Sequence, residues 1–173
     1  AGHLLLRSTS RSPHMTMQIV GDAVSPPNSR NFSLDASEFS KITTAKLDIV
    51  KAGTGRVYIE GMTSLGSEAM GIFNLNATNI AVARSTSIFH KGIQLDTLSS
   101  LEFDVDLTTQ GSPSRLNAGS GRLRLGGGVK MSTTNQMLTL ISDTVELSPG
   151  SSFDAGTSSI SLGSGSDRGI SLG

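Results

Sequence analysis

Glu102, Asp104 and Asp106 are the residues whose types and spacing come closest to chemistry. They alternate with Leu101, Phe103, Val105 and Leu107. In a strand, that alternation puts all three carboxylates on one face. Three carboxylates in a row could hold a Ca²⁺, which takes six to eight oxygens. They could also supply the acid and base of glycoside hydrolysis, which needs two. No aromatic platform, Arg or His stands beside them in the sequence. The expectation is therefore the solvated face of a half-buried strand.

The three histidines, His3, His14 and His90, are scattered, and none has a His or Glu partner at ligand spacing. They are expected as solvated turn residues. GSGSDRGIS, from Gly163, approaches a Ca²⁺-binding nonapeptide, but its second Gly is missing and Arg168 and Gly169 displace the apolar position. Gly126 to Gly128 lacks the Lys-Ser/Thr of a phosphate loop and reads as a turn. N-glycosylation sequons stand at Asn31-Phe32-Ser33 and Asn76-Ala77-Thr78. The expected site inventory is thus no catalytic residue, no cofactor and no metal, with Asn31 and Asn76 as candidate glycan attachment points.

The elements that must position these residues are short strands. Val57 and Ile59 flank Tyr58, Leu123 and Leu125 flank Arg124, and Leu138 with Leu140, Val145 with Leu147, Ile160 with Leu162 and Ile170 with Leu172 repeat the pattern. Period two means half-buried strands. Leu123, Leu125, Leu138, Leu140, Ile160 and Leu162 are expected to point inward, with Arg122, Arg124, Ser159 and Ser161 outward. One segment differs. Ser33 to Ile42 reads as a short helix, with Asp35 as N-cap, Glu38 completing a capping box, and Leu34 with Phe39 as a hydrophobic staple.

Ala-Gly, three residues, then apolar-x-apolar recurs at Ala52, Ala118 and Ala155, with a looser copy at Ala1. The spacing between copies varies, which is the signature of an irregular solenoid. The block from Ala155 to Gly173 also lies over that from Ala1 to Gly21, with a two-residue gap. The chain is therefore read as a single β-helical segment, 1–173, of about one long tandem repeat. Neither end carries a recognisable polar cap. Stacking head to tail into a fibre is the expected self-association.

Composition agrees. Apolar residues are 36%, charged residues 16% and aromatics 4%, and the formal net charge is zero. Such a chain has little for a large globular core, and Ser, Thr, Gly and Asn suit stacked β-coils. A neutral balance argues against nucleic acid, which needs a basic face. No apolar stretch approaches the ~20 residues of a membrane-spanning helix. Cys is absent, so there are no disulfides.

The order of blocks resembles the repeat region of the filamentous-haemagglutinin-like exoproteins, large adhesins exported by two-partner secretion. It runs AGTSSISLGSGSDRGISLG, FSLDASEFSKITTAKLDIV, AGTGRVYIEG and FNLNATNIAV. The family's Leu-x-x-x-Glu-Leu-x-x-Ile segment is matched by Leu34, Glu38, Phe39 and Ile42, with Phe where Leu is usual. The resemblance implies a right-handed parallel β-helix, an extracellular or cell-surface location, and adhesion or matrix building; a glycan or cell-surface ligand is the candidate partner. It carries over no catalytic residue. The overall expectation is all-β: a right-handed parallel β-helix of roughly eight coils of about twenty residues, with one short helical insertion. Its expected function is structural or adhesive. The alternative is a carbohydrate-active β-helix enzyme, a polysaccharide lyase or hydrolase. Ice or crystal binding would need a regular Thr-x-Thr ladder, which the sequence lacks.

Overall fold

The computed structural model describes residues 2–8, 16–21, 32–167 and 169–172. His14, Asn31 and Arg168 lie outside them. The elements are β1 (His3–Ser8), β2 (Met17–Val20), β3 (Phe32–Leu34), α1 (Ala36–Phe39), β4 (Thr44–Lys51), β5 (Arg56–Glu60), β6 (Met70–Val82), β7 (Ser87–Phe89), β8 (Ile93–Phe103), β9 (Leu107–Thr109), β10 (Ser114–Leu125), β11 (Lys130–Thr133), β12 (Leu138–Leu147), β13 (Ser152–Asp154), β14 (Ile160–Gly163) and β15 (Ser171–Leu172). Every pairing among them is parallel.

The result is a parallel β-solenoid of about five turns. Each regular coil has three faces. The long strands β6, β8 and β10 slip register near 77–79, 97–100 and 117–122, where the chain turns from the first face to the second. The third face is the short sheet β7–β9–β11–β13. Phe73 lies opposite Ile93, Leu101 opposite Leu123 and Leu116 opposite Leu140, a step of about 20 to 24 residues. The coil length is the one expected from the sequence, but the coil number is lower than eight. The first step contributes one coil of that difference: Met17 pairs with Val57 and Leu6 with Ile49, so one rung consumes about two coils' worth of chain.

Period-two alternation and that step together make continuous apolar columns. Leu6, Ile49, Leu75, Leu95, Leu116, Leu140 and Leu162 stack rung on rung along the first face. Met17, Val57, Ile80, Leu101, Leu123, Val145 and Leu172 do so along the second. Leu107, Met131 and Phe153 form the shorter column of the third. Phe73 and Phe89 stack across the lumen with ring centroids 5.2 Å apart. Each fully buried Leu or Ile contributes about 1.5–3 kcal/mol. Strands β1 and β14 lie on the first face and β2 and β15 on the second, in the columns that every rung shares.

Leu123, Leu125, Leu138 and Leu140 are buried as expected. Ile160 and Leu162 share the inward columns but are 44% and 42% exposed, and Leu172 is 72% exposed. They belong to the last described rung, where no further described coil covers the lumen. At the opposite end the described residues add a strand and a helical turn to the second face. Strand β3 bonds the edge of β2 away from β5, and Phe39 of α1 is wholly buried with Leu34 in the core. Three-residue β3 and one-turn α1 thus cover the core beside β2, while the edge of β1 away from β4 has no strand on it among the described residues.

The helix forms where the capping box stands. The Glu38 amide donates to Asp35 Oδ1, and the Asp35 amide donates to Glu38 Oε2, each over 3.0 Å. The Ser37 hydroxyl, then the Glu38 amide, hold the Asp35 carboxyl below its ordinary range. A carboxylate favoured by the native state adds stability that is lost as pH falls. Asp35→Asn should therefore melt slightly below wild type at neutral pH and converge with it in acid, read by circular dichroism. A constant difference at all pH values would contradict this account of the cap.

Two of the Ala-Gly copies turn the same corner. Gly53 (φ +82°) and Gly119 (φ +56°) lie between the first and second faces, whereas Gly156 (φ +61°) lies between the third and the first. Positive φ at all three is the reason for glycine there.

Candidate functional site

The carboxylate trio does not line one strand. Strand β8 stops at Phe103, and Asp104, Val105 and Asp106 make the corner into β9. Asp104 and Asp106 are exposed, as expected, but Glu102 is not, which corrects the sequence expectation for that residue. Glu102 is only 8% exposed. Its Oε1 accepts from Arg122 at 3.0 Å, and its Oε2 lies 3.4 Å from Arg56 Nη1. Arg122 also reaches Glu146 at 3.5 Å. Asp104 accepts from Arg124 at 3.2 Å, and Asp106 accepts the Lys130 amide at 2.7 Å. Stacking supplies these partners: Arg122 and Arg124 stand one coil above Glu102 and Asp104. Applying the coil step to Glu102 reaches this neighbourhood, a signal that sequence adjacency misses. Chemically, each carboxylate here fastens one coil to another.

The histidines separate. His3 lies on strand β1, not in a turn, and its Nε2 contacts Asp48 on the next rung. His90 is half-buried, with Ser64 Oγ 3.4 Å from its Nδ1. Residues 127–128 turn between β10 and β11, as expected for the glycine run. The segment from Gly163 wraps the Asp143 carboxylate: the Ser166 and Ser164 hydroxyls and the Gly165 and Ser166 amides all donate to it. These bonds, the Ser166 hydroxyl first, hold Asp143 below its ordinary range. No local spacing marks Asp143 as the partner of this segment, which lies one coil further along the chain. Among the described residues, no group of three or more His, Cys, Asp or Glu is placed to hold a metal ion.

A groove of about 280 Å³ opens on the outside of the first face. Lys46, Asp48, Asn74, Asn76, Gln94 and Asp96 line it, with Leu5 and Val50. Strands β4, β6 and β8 deliver them in two columns, Asp48–Asn74–Gln94 and Val50–Asn76–Asp96. Burial pushes the Asp48 carboxyl up, but the Asn74 amide, His3 and Lys46 together bring it below its ordinary range. Asp96 accepts from Arg115 at 2.6 Å and from Asn117 at 2.7 Å. Asn76 is exposed here, the last position but one before the corner, while Thr78 of its sequon donates to the Gly53 carbonyl at 2.7 Å. A second groove, of about 360 Å³, lies beside Asp143 and Ser120.

No family model, curated protein or solved structure matches this chain significantly. The assignment of a site therefore rests on geometry. No described helix is long and apolar enough to cross a membrane.

Glu60 is the least exposed carboxylate on the second face, at 1%. Arg84 lies 3.2 Å from its Oε2, and its Oε1 has no partner. Burial raises its pKa, and Arg84 only partly offsets this. A raised native pKa means stability that is present in acid and lost as pH rises through that value. The Glu60→Gln variant should accordingly gain in melting temperature relative to wild type between acid and neutral pH. A difference that stays flat across that range would show that the carboxylate is not strained by burial.

Proposed function

We propose that this solenoid is a structural and adhesive module of a secreted or cell-surface filament, of the filamentous-haemagglutinin-like kind. The observation that carries the reading is the use made of the surface charges. Glu102 is held by Arg56 and Arg122, Arg122 also engages Glu146, Asp104 engages Arg124, and Lys130 engages Asp154. Charges arranged this way fasten coils together. A glycosidase needs two carboxylates free to exchange protons with a substrate. The stacked columns suit a rod whose length grows coil by coil, and association of such rods end to end would lengthen the filament. Asn76 would be an exposed position for a covalent glycan.

Two experiments test this. Electron microscopy of material from the producing cell, labelled with antibody to this segment, should place it in long extracellular fibres. An intracellular or non-fibrous location would refute the reading. Second, incubation with a panel of polysaccharides should release no shortened chains. Depolymerisation that disappears in the Glu102→Gln, Asp104→Asn, Asp106→Asn variant would replace the adhesive module with a carbohydrate-active enzyme.

A further inference from the structure

We propose that the groove on the first face is a binding site for a short, uncharged oligosaccharide. This names the ligand class of the adhesive module and rests on that reading.

The argument starts from what the groove's own charges already do. Lys46 lies 3.4 Å from Asp48, and His3 contacts the same carboxylate. Arg115 and Asn117 hold Asp96. Each anion has a cation beside it, so the groove presents no surplus of either sign. A polyanion such as nucleic acid or a sulfated chain needs such a surplus. A metal ion would have to displace the cations already seated on the carboxylates.

What remains unspent is neutral hydrogen-bonding capacity. Asn74 is already committed, its amide donating to Asp48 and its Oδ1 shielded from solvent, which leaves the neighbouring amides. Asn76 is exposed and Gln94 half-exposed, and neither side chain makes a hydrogen bond among the described residues. A side-chain amide offers donors and an acceptor together. A sugar hydroxyl does the same, so two neighbouring amides complement neighbouring hydroxyls. Asn76 on β6 and Gln94 on β8 stand on adjacent rungs, about 4.8 Å apart along the axis, comparable to the length of one pyranose unit, so two neighbouring sugar rings along that axis would each meet one amide. Leu5, 49% exposed at one end of the groove, offers an apolar surface for a ring's C–H face. A volume of about 280 Å³ sits at the small end of ligand sites, roughly 300 Å³ and upward, which suits one or two rings. A peptide adding as a strand needs an open sheet edge. Here β4, β6 and β8 are paired on both sides.

The site has no aromatic platform, so single-site affinity is weak and a filament gains avidity from many copies. A glycan attached to Asn76 would fill the same groove and compete with the ligand.

The test uses the 173-residue chain with cellohexaose, maltohexaose and chitohexaose, and a heparin-derived hexasaccharide as the charged comparison, by titration calorimetry and NMR. At least one uncharged sugar should bind with a dissociation constant at or below the millimolar range. The Asn76→Ala, Gln94→Ala double variant should weaken it about tenfold or more, the loss of about two hydrogen bonds, with an unchanged melting midpoint. Neither residue is in the core, so the fold survives the substitution. Binding by heparin alone, no binding by any uncharged sugar, or binding undiminished in the double variant would overturn the proposal. Chromatography of the recovered sugar separates the two readings. Shortened chains would sink the adhesive function and leave the site standing, whereas intact unbound sugar sinks the site and leaves the filament untouched.

Discussion

Leu125→Asp should abolish the folded solenoid, whereas Leu162→Asp should be tolerated. Leu125 is fully buried and pairs in register with Phe103 below and Leu147 above. An aspartate there has no cation within the apolar column. Burying an unpaired carboxylate costs several kcal/mol after relaxation, on top of the ~2–5 kcal/mol lost with a core leucine. A domain's whole stability is about 5–15 kcal/mol. In a solenoid each coil also supports its neighbours, so a failed rung uncouples the coils on either side. The expected result is loss of soluble product, or loss of the β signal in circular dichroism and rapid proteolysis near the β10 rung. Leu162 faces the same lumen, in register with Leu140, but is 42% exposed. Its carboxylate would keep its hydration, so the variant should fold with a small drop in melting midpoint. Equal effects of the two substitutions would mean that inward direction, rather than dryness, sets the cost.

The contrast between those two leucines marks what the sequence could convey. Alternation specifies which way a side chain points, and every inward assignment from Leu123 to Leu162 has the expected direction. Alternation carries no information about what lies on top. The same holds for polar partners. Asp35 and Glu38 are three residues apart, so their reciprocal hydrogen bonds were legible from local spacing. Arg56, Glu102 and Arg122 meet only after coils are wound, and Glu102 therefore read as a solvated carboxylate. The packing of β3 and α1 is hidden for a related reason: Phe39 reads as half of a staple, but its burial against the solenoid core depends on β3 pairing with an edge of β2. The groove needed both kinds of information. Its residues come from three strands in two columns, and none of them forms a motif along the chain. Asn76 alone stands out along the chain, and for its sequon rather than for its neighbours.

The corner between the first two faces offers a second large effect, and it separates two reasons for glycine. Gly119 and Gly121 stand two residues apart in β10, where the strand bends. Gly119 has φ +56°, and a Cβ built there meets nothing closer than the Thr97 carbonyl oxygen at 3.7 Å. Its requirement is conformational, so Gly119→Ala should cost about 1 kcal/mol. Gly121 needs no left-handed backbone. Its Cβ would instead lie 1.9 Å from the Ser99 carbonyl oxygen and 2.6 Å from the carbonyl carbon, on the coil below. Those are backbone atoms and cannot rotate away. Accommodating the methyl requires the two coils to part at this corner, which strains the pairing of Arg122 with Ser100 and the bond from Ser142 Oγ to the Gly121 carbonyl, 3.0 Å long. Overpacking of this kind typically costs ~1–3 kcal/mol and more where the obstacle is rigid. Gly121→Ala should therefore melt well below Gly119→Ala and expose the segment around Ser99 to protease, because the Arg122–Glu102 pair sits on the same rung junction. Thermal unfolding of the two single variants decides the matter. If Gly119→Ala proved the more damaging, close approach between coils would not be what glycine serves at this corner.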